Sequence, residues 1–463
     1  MRGRIIARTV VCAVALSLVA AACSRSDSSG GSTTTTGGGG GGAAGTFGTL
    51  GKVCGPGDAK GATAKGVTDS EIRVGTVADP GFAGRPGLNQ ELFDSATVFT
   101  KWCNEAGGIE GRKIKVDLLD AKLTEYRQRI LEACDQDFSL VGGGAVFDDA
   151  AQKDRLNCLL PDISGFVVSP EARGADLLVQ VLPNPNNIQP IGDFIWLAKK
   201  FPAAKDKVAA LTAGLPSTLV VKDQSVEGAK AAGMTVIYDG QYNANGETTW
   251  APIVQTLKSK GVRGVIWTGE PENLAKFEQG LVDAGYKMDF IQAGPNHYDQ
   301  VMLKTGGSAI QNTYVRSSIY PFEKAADNPA TQQYLDLFKK YLPSGKAESY
   351  LGVQAFSAWL LFAKAAAACG SDLTRKCILD EAKRVGGTNW AGGGLHAPGN
   401  VREQLPTDCY ALLEATPKGF TMPNIDPNDS IYNCGPENLY TLKGSYGKGV
   451  TLADVGKSLS DLK

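Results

Sequence analysis

The sequence predicts an α/β protein made of two blocks of doubly wound parallel sheet. Three observations carry this prediction. Short apolar runs alternate with amphipathic helical segments along most of the chain, the pattern of parallel strands covered by helices on both faces. Most of the apolar runs stop at a glycine or proline, which cannot extend a strand comfortably. A single breaker-rich stretch, Leu182-Pro183-Asn184-Pro185-Asn186, interrupts the alternation, and the same rhythm then restarts.

In the first block Ile72–Val77 reads as a strand, followed by a Gly/Pro loop from Asp79 to Gly87 and a helical run to Ala106. Lys113–Asp120 is the second strand. Thr124–Phe138 is helical by spacing, with Tyr126, Ile130, Leu131 and Cys134 assigned to one side. Ser139–Ala145 and Ile163–Ser169 read as further buried strands. In the second block the strands are Lys207–Gly214, Met234–Gly240, Gly264–Gly269 and Asp289–Pro295, with helices between them and a further strand over Asn312–Tyr320. Two helical segments follow, Pro329–Tyr341 and Tyr350–Cys369. The second is apolar most of the way round, which predicts burial.

The N-terminus carries a different signal. Arg2, Arg4 and Arg8 precede an apolar run that ends in Ala20-Ala21-Ala22-Cys23. This is the layout of a secretory signal peptide (residues 1–22), too short for a permanent membrane helix. The small residues before Cys23 resemble the lipobox of bacterial lipoproteins, which implies cleavage before Cys23 and a diacylglycerol on its sulfur; otherwise Cys23 is an incidental thiol. Residues 23–53 are dominated by Gly, Ser and Thr and predict a disordered tether spanning on the order of 30 Å.

The whole chain has net charge −1; loss of Arg2, Arg4 and Arg8 takes it to −4, with no basic footprint for nucleic acid. Eight cysteines follow Cys23, an even number that reads as disulfides in an exported chain. Cys369 and Cys377 flank a helix-end loop and form the first expected pair; Cys409 and Cys434 bracket a Pro/Asn-rich loop and form the second. Cys54, Cys103, Cys134 and Cys158 are not paired by spacing. Catalytic signatures are scarce. His297 and His396 are the two histidines, and neither a metalloprotease H-E-x-x-H nor a nucleophile-elbow G-x-S-x-G occurs. A binding function without metal or cofactor is therefore expected.

Three stretches resemble one family: GVTDSEIRVG (Gly66–Gly75), NEAGGIEGRKIKV (Asn104–Val116) and YLGVQAFSAWLLFAKAAAAC (Tyr350–Cys369). Together with the lipobox they resemble the type I periplasmic binding proteins of branched-chain amino acid and amide ABC importers. The similarity covers about residues 66–420, and residues 421–463 match nothing in it. The resemblance implies two lobes joined by a three-crossover hinge: residues 66–187 with about 320–412, and 188–319 with about 413–463. It implies a monomer, lipid-anchored on the extracytoplasmic face, that closes on a small polar molecule (amino acid, amide or small carboxylate) and delivers it to permease subunits. The same fold also serves ligand-sensing receptors, which is the alternative reading.

Ligands of open α/β sheets sit beyond the carboxyl ends of strands, so the loops there supply the candidate site. Phe82 and Arg85 follow the first strand, where the family often offers an aromatic; Arg85 could pair an anionic group. Phe147 and Asp148 follow Gly142-Gly143-Gly144, at the turn where the family holds an α-carboxylate with serines; Asp148 is otherwise an N-cap. Ser169 matches a family hydroxyl position and is otherwise a cap. Ser217 and Thr218 open a helix, as caps or ligand hydroxyls. Glu270 stands where the family often has an aromatic, and is otherwise a helix-dipole partner. Asn296 and His297 follow the last of these strands, without the acidic residue that amino-acid binders place there, although Asp299 is close. These departures weigh against a leucine-type ligand. Trp250, Trp267, Trp359 and Trp390 are assigned to core packing ahead of a ligand wall.

Overall fold

A computed structural model describes residues 44–426 and 429–462. The expected signal peptide, Cys23 and the tether up to residue 43 lie outside the described residues. Residues 44–53, assigned above to the tether, are folded. Phe47 is buried against Trp102 and Phe356, with ring centroids 6.1 and 5.3 Å away. Phe47 and Leu50 pack this short segment onto the core.

The first body winds in chain order through β1 (Glu71–Ala78), α1 (Gln90–Glu105), β2 (Lys113–Asp120), α2 (Tyr126–Gln136), β3 (Leu140–Val141), α3 (Gln152–Asn157), β4 (Asp162–Ser164), α4 (Pro170–Arg173) and β5 (Leu178–Gln180). Its five strands are parallel, in the order β2-β1-β3-β4-β5. The strands expected over Ser139–Ala145 and Ile163–Ser169 are cut to two and three residues. The chain turns at Gly142 (φ +66°), where a Cβ would lie 2.6 Å from the Trp359 indole nitrogen. Helix α2 buries Tyr126, Ile130 and Ala133, whereas Leu131 is 45% exposed. At 100° per residue Leu131 stands over a quarter turn from Ile130, so its assignment to the buried side is corrected.

The chain then crosses through β6 (Ile188–Pro190) and α5 (Gly192–Lys200) to a second body. This contains β7 (Val208–Ala213), α6 (Pro216–Ala231), β8 (Val236–Tyr242), α7 (Ala251–Ser259), β9 (Gly264–Thr268), α8 (Pro271–Asp283), β10 (Phe290–Ala293), α9 (Gln300–Gly306) and β11 (Thr313–Ser317). The parallel part of its sheet runs β8-β7-β9-β10-β11. Second, first, third, fourth and fifth strand is the order of the first body too, so both sheets are doubly wound and reverse beside their first strand.

A second crossing returns the chain to the first body for α10 (Pro329–Tyr341), α11 (Tyr350–Cys369) and α12 (Arg375–Gly386). By length and composition α11 could cross a membrane, yet nearly all of it is buried against α1, β3 and β4. A third crossing leads to β12 (Cys409–Thr416), antiparallel to β11, then to β13 (Gly419–Thr421), β14 (Asn433–Cys434) and β15 (Leu439–Thr441). The division expected at residue 412 therefore falls inside a strand of the second sheet.

The C-terminal segment touches both bodies. β15 pairs with β6, and Glu227 on α6 then accepts the N–H groups of Lys443 (2.6 Å) and Gly444 (3.1 Å) and the Tyr446 hydroxyl (2.6 Å). A few residues later the Val450 N–H donates to the Glu171 carbonyl (3.1 Å), and the Asp176 N–H donates to the Val450 carbonyl (3.0 Å). The Leu452 N–H reaches the Asp176 carboxylate at 2.7 Å. Disulfides join Cys54 to Cys103, Cys134 to Cys158, Cys369 to Cys377 and Cys409 to Cys434.

Candidate functional site

Parallel strands that all point the same way deliver their following loops to one edge of the sheet, and here the two edges face each other. Between them lies a cavity of about 280 Å³. From the first body it is lined by Arg85 after β1, Val146 after β3, Phe166 after β4 and Arg173 on α4. From the second body come Thr218, Trp267 to Pro271 and Gly294 to His297. Gln180 at the end of β5, Asp193 on α5, Arg316 in β11 and Ser318 just after it complete the lining, and α11 adds Tyr350 and Gln354.

Five of the residues nominated from sequence line this cavity: Arg85, Thr218, Glu270, Asn296 and His297. Phe82, Phe147, Asp148, Ser169 and Ser217 are not among its lining residues. Asp148 is buried and its carboxylate accepts the N–H groups of Val168 (2.7 Å) and Ser169 (2.9 Å), clamping the loop after β4. Burial raises its pKa to about 7, against those hydrogen bonds. The Ser169 hydroxyl caps α4 by accepting from Ala172 N–H at 3.2 Å. Ser217 is buried at the start of α6. Thr218 lies at the wall, but its hydroxyl points back to the carbonyls of Ala213 (2.7 Å) and Leu215 (2.9 Å).

Arg85 spans the cleft. Its guanidinium pairs with Glu270, and Nε and Nη2 reach Glu272 at 2.9 and 2.7 Å. Burial pulls the Arg85 pKa down, but the two glutamates outweigh it and the net shift is upward, so the charge is held. Asn296 donates to the Gly269 carbonyl at 2.9 Å and so ties together the loops after β9 and β10. His297 Nδ1 lies 3.1 Å from the Gly294 carbonyl. A carbonyl only accepts, so Nδ1 carries the proton and Nε2 is a bare acceptor. Burial lowers the His297 pKa to about 4, which keeps the ring neutral at physiological pH.

Three residues at the wall were missed in the sequence. Arg173 donates through Nη1 to Gln224 Oε1 (2.8 Å), joining α4 to α6 across the cleft. Asp193 Oδ2 accepts from Gln292 at 2.8 Å. Arg316 projects from β11. Trp267 both lines the cavity and stacks in the core, while Trp250, Trp359 and Trp390 are core residues. Among the described residues no cluster of His, Cys, Asp and Glu fits a metal ion.

A family model described as a periplasmic binding protein matches residues 72–419. No curated protein matches the chain. Among solved structures, a leucine binding protein from Thermotoga maritima is 14% identical, covering 78% of this chain and 100% of its own, with a TM-score of 0.62. A fatty acid ABC transporter substrate-binding protein from Thermomonospora curvata is 16% identical, covering 80% and 95%, also at 0.62. A branched-chain amino acid transporter substrate-binding protein from Streptococcus pneumoniae, in complex with isoleucine, is 15% identical over 76% and 100%, at 0.61. At these identities the likeness is one of fold.

Proposed function

The chain belongs to the periplasmic binding protein family, and from that premise we propose that it is the extracytoplasmic solute-binding lipoprotein of an ABC importer. Its two sheet bodies act as lobes that capture a small polar molecule for a permease. The observation that carries this reading is the cavity at the carboxyl ends of both sheets, with Arg85 of one body paired to Glu270 and Glu272 of the other. Such a contact exists only when the bodies are together, so solute and ion pair both favour the closed form, and the permease reads a shifted population. A volume of about 280 Å³ lies just below the range of about 300–1,000 Å³ for drug-sized pockets, which suits a small metabolite. The anchor rests on Cys23 and its flanking residues alone.

Native mass spectrometry of the full chain extracted from membranes tests both parts. The expected result is one small molecule per protein, released on unfolding, on a mature chain that begins at a diacylated Cys23. A protein that carries no solute and is stabilised by none of a broad metabolite panel sinks the carrier reading. An unlipidated N-terminus sinks the anchor alone.

A further inference from the structure

The charges around the cavity fall into two groups. The first is neutralised within the chain. Glu91 and Asp299 share Lys346 at 2.7 and 3.2 Å, and Glu270 and Glu272 share Arg85. The second group has open valences. The Arg316 guanidinium makes no hydrogen bond or ion pair to any described residue. Arg173 Nε, Asp193 Oδ1 and His297 Nε2 are also without partners, on residues only 7%, 0% and 1% exposed. No carboxylate of the described residues lies within ion-pair distance of either arginine. Buried polar atoms are almost always hydrogen-bonded, so three open ones around a single cavity, beside the half-buried Arg316 guanidinium whose charge acts on Asp193, point to what the cavity receives.

The turn after β3, the place where the resemblance puts a ligand carboxylate, is engaged by the chain itself. Asp79 takes the Val146 N–H at 2.9 Å, and Asp148 takes those of Val168 and Ser169. Asp79 thus occupies a backbone donor of that turn, Asp148 at its end engages the donors of the neighbouring loop after β4, and a ligand carboxylate there would meet both side chains. The open cationic donors lie elsewhere, on α4 and β11.

Resting on the solute-carrier reading, we propose that the cleft selects a small anionic organic acid bearing a hydroxyl or amide donor, with its carboxylate anchored on Arg316 and Arg173 and its donor accepted by Asp193 Oδ1 and His297 Nε2. Guanidinium groups suit this task because their planar donors match a carboxylate edge. A neutral His297 completes the match, since its protonated form would repel a donor. The two guanidiniums outnumber the one open carboxylate, so the site favours a net anion over a neutral or cationic solute.

The test is isothermal titration of the full chain with short mono- and dicarboxylates, hydroxy acids and the twenty amino acids, each acid beside its neutral amide (succinate beside succinamide, L-malate beside its diamide), with putrescine as the cationic control. One or more acids bind and their amides do not. Arg316→Ala loses on the order of 100-fold in affinity, the scale of removing one partner of a buried charged hydrogen bond, and Arg316→Lys recovers part of it. Melting curves of the unliganded variants separate lost binding from lost folding. Equal binding of an acid and its amide, preference for putrescine, undiminished binding by Arg316→Ala, or silence from every acid overturns the proposal. A neutral or cationic solute found by native mass spectrometry overturns it too, while leaving the carrier reading intact.

Discussion

The two sheet bodies share one winding order and are held together by different means. In the first, β1 and β2 pair over eight residues, but β3 has two residues and β4 and β5 have three each, so that side of the ladder satisfies few carbonyls. Arginines supply the missing donors. Arg155 Nη1 reaches the carbonyls of Leu160 (2.9 Å) and Leu177 (3.3 Å), and its Nη2 that of Asp176 (2.8 Å). Arg375 serves Phe138, Cys158 and Asp137, and Arg112 serves Thr68, Gly370 and Gly61. Three of the four disulfides are also here. In the second body β7 to β12 run four to eight residues. Its interior is an aromatic stack, with Trp267 4.6 Å from Tyr242 and 5.3 Å from Phe277 between ring centroids. Where the ladder is short, side-chain donors and covalent bonds replace it; where it is long, apolar packing suffices.

The sharpest cut is Arg155→Ala. It strips the donor from the carbonyls of Leu160 and Asp176 and from Gln152 Oε1, while the Leu177 carbonyl keeps the Asp162 N–H; each unsatisfied group costs about 1–3 kcal/mol, so a loss of at least about 3 kcal/mol is expected. Trp267→Ala is the matching cut in the second body, at about 3–5 kcal/mol. Hydrogen exchange should lose protection in β3 to β5 for the first variant and in β7 to β10 for the second. Identical patterns would mean that the bodies unfold as one unit and that the contrast has no energetic content. Next comes replacement of Cys54 and Cys103 by serine, at about 2–4 kcal/mol, with the deficit confined to the first body. The smallest effect is a pH slope. Glu278, buried in the second body with its Oε1 accepting from Gln311 N–H and the Thr313 hydroxyl, has its pKa raised by burial to about 8. A carboxyl raised in the folded state contributes stability that is complete below its unfolded pKa and lost as pH rises through the folded value. Melting temperature should therefore fall between about pH 5 and 8 and level off above that, with up to about 1.4 kcal/mol per pH unit from this group. Glu278→Gln should flatten that fall, and an unchanged slope would remove Glu278 as its source.

Much of the fold was legible because strand and helix periods differ. β2, α10 and α11 have the bounds read from the sequence, each being a long segment with a plain period. β12 was missed for a physical reason. Its residues Ala411-Leu412-Leu413-Glu414-Ala415 are strong helix formers, and pairing with β11 on one side and β13 on the other holds them extended. The site divides in a similar way. Arg85, Thr218, Glu270, Asn296 and His297 follow strands directly, so the strand-end rule finds them. Arg316 lies inside a strand, Arg173 in a four-residue helix and Asp193 beyond a proline-rich crossing, and that rule passes over all three. A signal was there: Arg316 is the lone charge in Thr313-Tyr314-Val315-Arg316-Ser317-Ser318-Ile319, which is out of place in a buried strand unless something is to be met.

The C-terminal segment gives this hinge a stop. Tyr446 is fastened to the second body through Glu227, and Val450 to the first through Glu171 and Asp176. Between those knots the backbone can stretch by at most about 3.6 Å per residue, on the order of 14 Å in all. The bodies can part freely only until that leash is taut. Wider gaping must first untie one knot, so the swing of this molecule has a soft range and then a threshold. Release of a tightly held solute becomes a question of rope length as much as of hinge stiffness.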